Sequence, residues 1–157
     1  MVEPVAREVR PEDGPEISAL HARAFGPGRF ARTAYRVREG TGPASRYCRV
    51  CIIDGRIIAA VRFTPITIGG RPGALLLGPL AVDPAFANRG HGRGLVREAM
   101  DAARADGLSL VVLVGDEPYY ARLGFIPIPR GQVTLPGPVD PARLLAAELA
   151  PGSLATF

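Results

Sequence analysis

Two apolar runs of strand length, Ala74–Val82 and Leu108–Val114, bracket one amphipathic helix, and that order leaves the chain few folds. Val96, Ala99, Met100 and Ala103 make the apolar face of a helix over Arg93–Asp106, and Gly107 supplies its stop. A strand, a helix and a second strand so spaced read as a right-handed β-α-β crossover with parallel strands. The unbroken apolarity of Leu108–Val114 predicts cover on both faces. The first strand carries Gly78-Pro79 in mid-run, and proline cannot donate to a ladder. That strand should therefore bulge or lose a neighbour there, opening a cleft in which an extended ligand can pair with free backbone groups.

The segment L-A-V-D-P-A-F-A-N-R-G-H-G-R-G-L, Leu80 to Leu95, joins the first strand to the helix. Gly90, Gly92 and Gly94 let main-chain N–H groups approach a ligand without Cβ interference. A helix N-terminus adds unpaired donors and about half a unit of positive charge. With Arg89, Arg93 and Arg97 nearby, the segment reads as a seat for a pyrophosphate. A Rossmann dinucleotide site would need its glycines directly after the strand, whereas Asp83–Arg89 intervene here and the third glycine falls one place early. His91 reads either as a solvent-facing loop residue or as a phosphate contact, and Arg97 as a solvated helix position within reach of Asp101.

Elsewhere, Val5–Arg10 predicts a strand and Pro11–Phe25 a helix with an acidic first turn. Arg29–Glu39 reads as a basic helix whose Arg29, Arg32, Arg36 and Arg38 form a solvated face or line a site for an acidic acceptor. Tyr47–Ile53 and Arg56–Ile68 are β-rich runs joined by Asp54-Gly55, a two-residue hairpin signal. Glu117–Leu123 predicts a short helix with Asp116 as its N-cap. A strand at Gln132–Leu135 and a last helix at Pro141–Leu149 complete the expectation. The chain of 157 residues suits one domain, 1–157, and shows no linker or repeat.

Composition excludes some chemistries. All 19 cationic residues are arginine, so a lysine P-loop and Schiff-base catalysis are ruled out. The net charge of +4 is spread along the chain without basic tracts, which argues against nucleic acid as a partner. No apolar run approaches membrane-spanning length and the N-terminus is not signal-like, so a cytoplasmic protein without membrane contact is expected. Cys48 and Cys51 form C-x-x-C inside a run that reads as a strand, where residues three apart point to opposite faces. With no second Cys pair and no nearby His to complete a set, two ordinary thiols are the better reading and no metal is expected.

Three motifs in this order resemble the GNAT N-acetyltransferase superfamily. Leu80-Ala81-Val82-Asp83-Pro84 resembles its strand ending in L-x-V-x-P. Residues Ala87-Asn88-Arg89-Gly90-His91-Gly92 fall on its acyl-CoA signature, Q/R-x-x-G-x-G/A, with Ala87 departing at the first position. Tyr119-Tyr120-Ala121-Arg122-Leu123-Gly124-Phe125 resembles the closing Y-x-K/R-x-G-F. The G-P-L-A-V strand and V-G-D-x-x-Y-Y stretch are similar to a small bacterial subgroup. The resemblance implies an α/β (α+β) fold with a mixed, splayed sheet of about six to seven strands flanked by helices. It implies an enzyme moving an acetyl group from acetyl-CoA to a primary amine, on a small molecule or peptide, in a ternary complex without a metal. A non-catalytic acyl-CoA sensor is the alternative, since the family's glutamate on the splayed strand is replaced by Gly78 or Pro79.

By the same resemblance, Leu80, Ala81 and Val82 would pair with the pantetheine arm and the Val82 N–H would polarise the thioester carbonyl. Asn88, Arg89, Gly90, His91, Gly92, Arg93 and Gly94 would hold the pyrophosphate. Tyr120 would protonate the departing sulfur, as a phenol of ordinary pKa near 10 can. Tyr119 reads as core packing. Asp116, Glu117 and His21 are the candidate general bases, Asp116 equally readable as a cap. A homodimer in which a neighbour completes the acceptor site is a further expectation.

Overall fold

The structure, a computed structural model, describes residues 3–25, 45–129, 132–133 and 141–157. Seven strands form one sheet: β1 (Val5–Glu8), β2 (Arg49–Ile53), β3 (Arg56–Ile68), β4 (Arg71–Val82), β5 (Leu110–Val114), β6 (Ile126–Pro127) and β7 (Leu144–Glu148). Their spatial order is β1-β2-β3-β4-β5-β7-β6. Only β4 and β5 pair in parallel; the other neighbours are antiparallel. Among the described residues the α-helices are α1 (Gly14–Phe25), α2 (His91–Ala105) and α3 (Glu117–Tyr120).

The β2–β3 hairpin turns on Asp54 at φ 53° and Gly55 at φ 74°, the two left-handed residues that its two-residue loop demands. The helix expected from Pro11 opens instead as a 3-10 turn, Pro11–Asp13, before α1. There Asp13 accepts from the Arg10 N–H at 2.7 Å and takes both arms of the Arg7 guanidinium at 2.8 and 3.0 Å. The Arg29–Glu39 helix lies outside the described residues. Of the strand expected at Gln132–Leu135, the described Gln132 and Val133 form a bend.

The C-terminal helix is a correction. Pro141–Arg143 is a 3-10 turn and Leu144–Glu148 is β7, inserted between β5 and β6. Leu145 and Ala147 enter the core under α2, while Leu144 and Ala146 enter the cluster on the opposite face. Cover on both faces makes the run uniformly apolar, so it carries no alternation to betray a strand.

The core is divided by the sheet. On one face α2 lays Val96, Ala99, Met100 and Ala103 against Ile58, Val61, Phe63, Leu75, Val111 and Leu113. On the other, Leu20 of α1 packs with Val50, Ile57, Ala60 and Ala81. Farther along that face, Leu76, Leu110 and Val112 meet Ile128 and Leu154. Cys48 and Cys51 are free, buried thiols.

The site is made where β4 and β5 separate. Their pairing comprises Ala74 with Leu110, Leu75 with Val111 and Leu76 with Val112. Just beyond, Val61 faces Leu80 and Phe63 faces Leu77, so Gly78 and Pro79 together lie opposite Arg62 as a bulge. Gly78 has φ 146° and the Gly78–Pro79 bond is cis. From there β4 runs on to Val82 beside β3, its other edge leaving β5.

Candidate active site

The register of β3 and β4 decides which way the end of β4 faces. Bonded and non-bonded pairs alternate along an antiparallel ladder. The Asp83 N–H donates to the Ile58 carbonyl at 2.8 Å, so Ala81 opposite Ala60 is again a bonded position. Leu80 and Val82, in the positions between, turn their N–H and C=O groups away from β3 toward the gap beside β5.

Asp83 then fixes the loop that follows. Its carboxylate caps the 3-10 turn Pro84–Phe86 by accepting from the Ala85 N–H at 2.9 Å, and pairs with Arg23 of α1 at 3.1 Å. Asn88 at φ 64° and Gly90 at φ 83° supply the left-handed steps that swing the chain into α2. The first bond inside α2 runs from the Gly94 N–H to the Gly90 carbonyl at 3.0 Å. The N–H groups of His91, Gly92 and Arg93 therefore have no partner within the helix and point out of its positive end.

Gly92 is the tight position. A Cβ there would lie 3.0 Å from the Tyr119 hydroxyl, 3.2 Å from Val82 Cγ2 and 3.5 Å from Leu80 Cδ2. Glycine thus lets the first turn of α2 close on β4. Around a Cβ at Gly94 there is open space within 4 Å.

The far wall comes from α3 and the turn after it. Asp116 occupies the N-cap position, but its side chain makes no cap bond and pairs with Arg143 at 3.5 Å instead. Tyr120, half-buried, packs edge-on against Phe125 with ring centres 5.7 Å apart. Tyr119 meets it edge-on at 4.9 Å but is 38% exposed and faces the cleft, not the core expected for it. Partial burial pushes the Tyr119 phenol up, opposed by the nearby Arg93 charge, so its hydroxyl stays a donor at neutral pH.

These walls enclose an open cleft of about 700 Å³. Leu80 and Val82 line one side, residues 88–93 the mouth, and Tyr120 the opposite side. Ala81 and Gly94 do not join the lining. Ala81 turns its side chain to Leu20 and Val50 on the other face, and Gly94 has committed its N–H within α2. Arg97 is exposed and also outside the cleft. Of the three candidate bases only Asp116 lines it; His21 is buried on α1 against Phe25. The cleft also contains Tyr119, Phe86 and Arg122, with the Arg89 guanidinium 5.6 Å above the Phe86 ring. Arg122 stood in the closing motif, whereas nothing in the sequence separated Tyr119 from Tyr120 by exposure.

Residues 15–125 match the model of the acetyltransferase (GNAT) family. The chain belongs to that family. It is therefore an acetyl-CoA-dependent acyltransferase, and the mixed sheet with flanking helices is the GNAT fold. The uncharacterized N-acetyltransferase YhbS of Escherichia coli K12 is 33% identical over 116 residues, 73% of this chain and 69% of YhbS. The crystal structure of Escherichia coli YhbS in complex with CoA superposes with a TM-score of 0.80 at 27% identity, covering 98% of this chain and 86% of that one. A GNAT family acetyltransferase from Brucella melitensis, in complex with acetyl-CoA, gives a TM-score of 0.70 at 30% identity over 92% of this chain and 95% of its own. Among the described residues no helix is long and apolar enough to cross a membrane, and no group of His, Cys, Asp and Glu could hold a metal ion.

Proposed function

We propose that this GNAT acetyltransferase moves an acetyl group from acetyl-CoA to a primary amine, of a small molecule or a peptide, by direct attack in a ternary complex. One observation carries the reading. β4 and β5 part beyond Leu76 and Val112, and the main chain of Val82 faces a cleft whose other wall holds Tyr120.

The residues present suit the donor. Pyrophosphate would take the N–H groups of His91, Gly92 and Arg93, with Asn88 and Gly90 shaping the approach and Arg89 adding charge. These main-chain donors do not depend on the side chain that Ala87 lacks. The pantetheine arm would pair with Leu80 and Val82, the two β4 residues whose backbone faces the gap.

In the reaction the neutral amine attacks the thioester carbonyl carbon, forming the C–N bond. The developing oxyanion accepts from the Val82 N–H, one such donor being worth about 3 kcal/mol. Collapse breaks the C–S bond, and the Tyr120 hydroxyl gives its proton to the sulfur. The proton lost by the amine passes to solvent or to Asp116, the carboxylate of the cleft wall.

The test is to incubate the protein with acetyl-CoA and a panel of amino acids, polyamines and peptides, following free thiol and the mass of the acetylated acceptor. Acceptor-dependent thiol release with a stoichiometric amide product is expected. Thiol release that no amine accelerates, from protein that binds acetyl-CoA, would overturn the amine-acceptor reading.

A further inference from the structure

Gly115 directly follows β5 and its N–H donates to the Arg143 carbonyl at 2.9 Å, so its backbone serves the β5–β7 junction. Its missing side chain serves something else. A Cβ on Gly115 would lie 2.6 Å from Cε2 and 3.1 Å from Cδ2 of Tyr120, with Leu113 Cδ1 at 3.0 Å. The Tyr120 ring thus rests directly on the glycine, between it and Phe125. Gly115 does not adopt a positive φ, so its conformation suits an L-residue and does not itself call for glycine. The requirement comes from the ring.

We infer that Gly115 is a positioning residue for Tyr120: by lacking a Cβ it lets the phenol sit deep enough to aim its hydroxyl at the departing sulfur. The inference rests on the acid role proposed above for Tyr120. The glycine of V-G-D-x-x-Y-Y and its second tyrosine are then one device, five residues apart in sequence and in contact in space. To restore ordinary contact, a Gly115→Ala methyl must push the ring back by roughly 0.8 Å, and misplacement on that scale costs about 10²-fold in rate.

The test is a double-mutant cycle on the full chain, with acetyl-CoA and the best amine from the panel above. Gly115→Ala is expected to lower kcat by about 10²-fold, with KM for acetyl-CoA and the calorimetric affinity for CoA within twofold. In a Tyr120→Phe background the same change should cost less than threefold. A readout independent of any acceptor is 13Cζ-tyrosine NMR, in which the signal absent from Tyr120→Phe should shift in Gly115→Ala while that of Tyr47 stays. Equal losses in both backgrounds would overturn the inference, as would a Tyr120 signal unmoved by the added methyl. A Tyr120→Phe protein as active as wild type would instead remove the acid role itself, a distinct failure.

Discussion

Alanine at Gly92 and alanine at Gly94 should part company, although both glycines open the same helix. At Gly94 a methyl enters open space, and replacing a helical glycine is worth about 0.5–1 kcal/mol. For a chain of this size that is a rise in Tm of about 1–4 °C. At Gly92 the same propensity gain is opposed by contacts at 3.0 Å to Tyr119, 3.2 Å to Val82 and 3.5 Å to Leu80. The Tyr119 hydroxyl is the end of a flexible side chain and can yield. Val82 and Leu80 belong to β4, so α2 must lift from the strand by a few tenths of an ångström. Overpacking of this kind costs about 1–3 kcal/mol, leaving Gly92→Ala close to wild type or modestly destabilised. The larger effect is on the donor seat. Alanine keeps its N–H, but lifting α2 displaces that donor. The full loss of one hydrogen bond to a charged phosphate, about 1.5–3 kcal/mol or about 10–100-fold in Kd, sets the upper bound. Calorimetric titration of CoA into both variants, beside their melting curves, decides it. Gly92→Ala binding as tightly as wild type would refute the reasoning, and so would equal losses at the two positions.

Two further outcomes follow from groups away from the cleft. The Arg7 guanidinium, hydrogen-bonded to Asp13, holds that carboxyl below its ordinary value. Its stabilisation is complete above an unfolded aspartate pKa of about 3.9 and is lost as pH falls through the lowered value. Asp13→Asn should therefore be less stable than wild type at pH 7, with the gap closing below pH 4 in urea melts; a gap independent of pH would count against the pair. Cys48 and Cys51 are 1% and 4% exposed, and burial pushes the Cys51 thiol up, so neither should react with Ellman's reagent in the native chain at neutral pH. Both should react once the chain is denatured, and fast native labelling would show the sheet to be open there.

What was legible in the sequence was the part written in local chemistry. Asp54-Gly55, Gly107 and the α2 stripe each announce their own geometry, and Gly78-Pro79 announced a bulge before any partner strand was known. The parting of β4 from β5 followed, whereas Val82 and Tyr120 were singled out only by the resemblance of their motifs to the family's, and the structure sets them with residues 88–93 along the cleft. What stayed hidden depended on distant neighbours. Leu144–Glu148 has helix-forming residues but fills a slot between β5 and β6, and tertiary cover overrides propensity. Tyr119 and Tyr120 are adjacent in sequence and both line the cleft, yet only the packed turn leaves Tyr119 exposed and seats Tyr120 half-buried against the core. Gly115 could not announce itself at all, because an absent methyl acquires meaning only when the ring that needs its space has been placed. Asp116 was readable as a cap by position, but Arg143, twenty-seven residues on, claims its carboxylate.

The central claim is that the thioester lies between the Val82 N–H and the Tyr120 hydroxyl. The steady-state comparison of Tyr120→Phe with wild type tests it most directly. The account predicts a kcat lower by roughly 10²–10⁴-fold with KM for acetyl-CoA nearly unchanged; a kcat within threefold of wild type would contradict it.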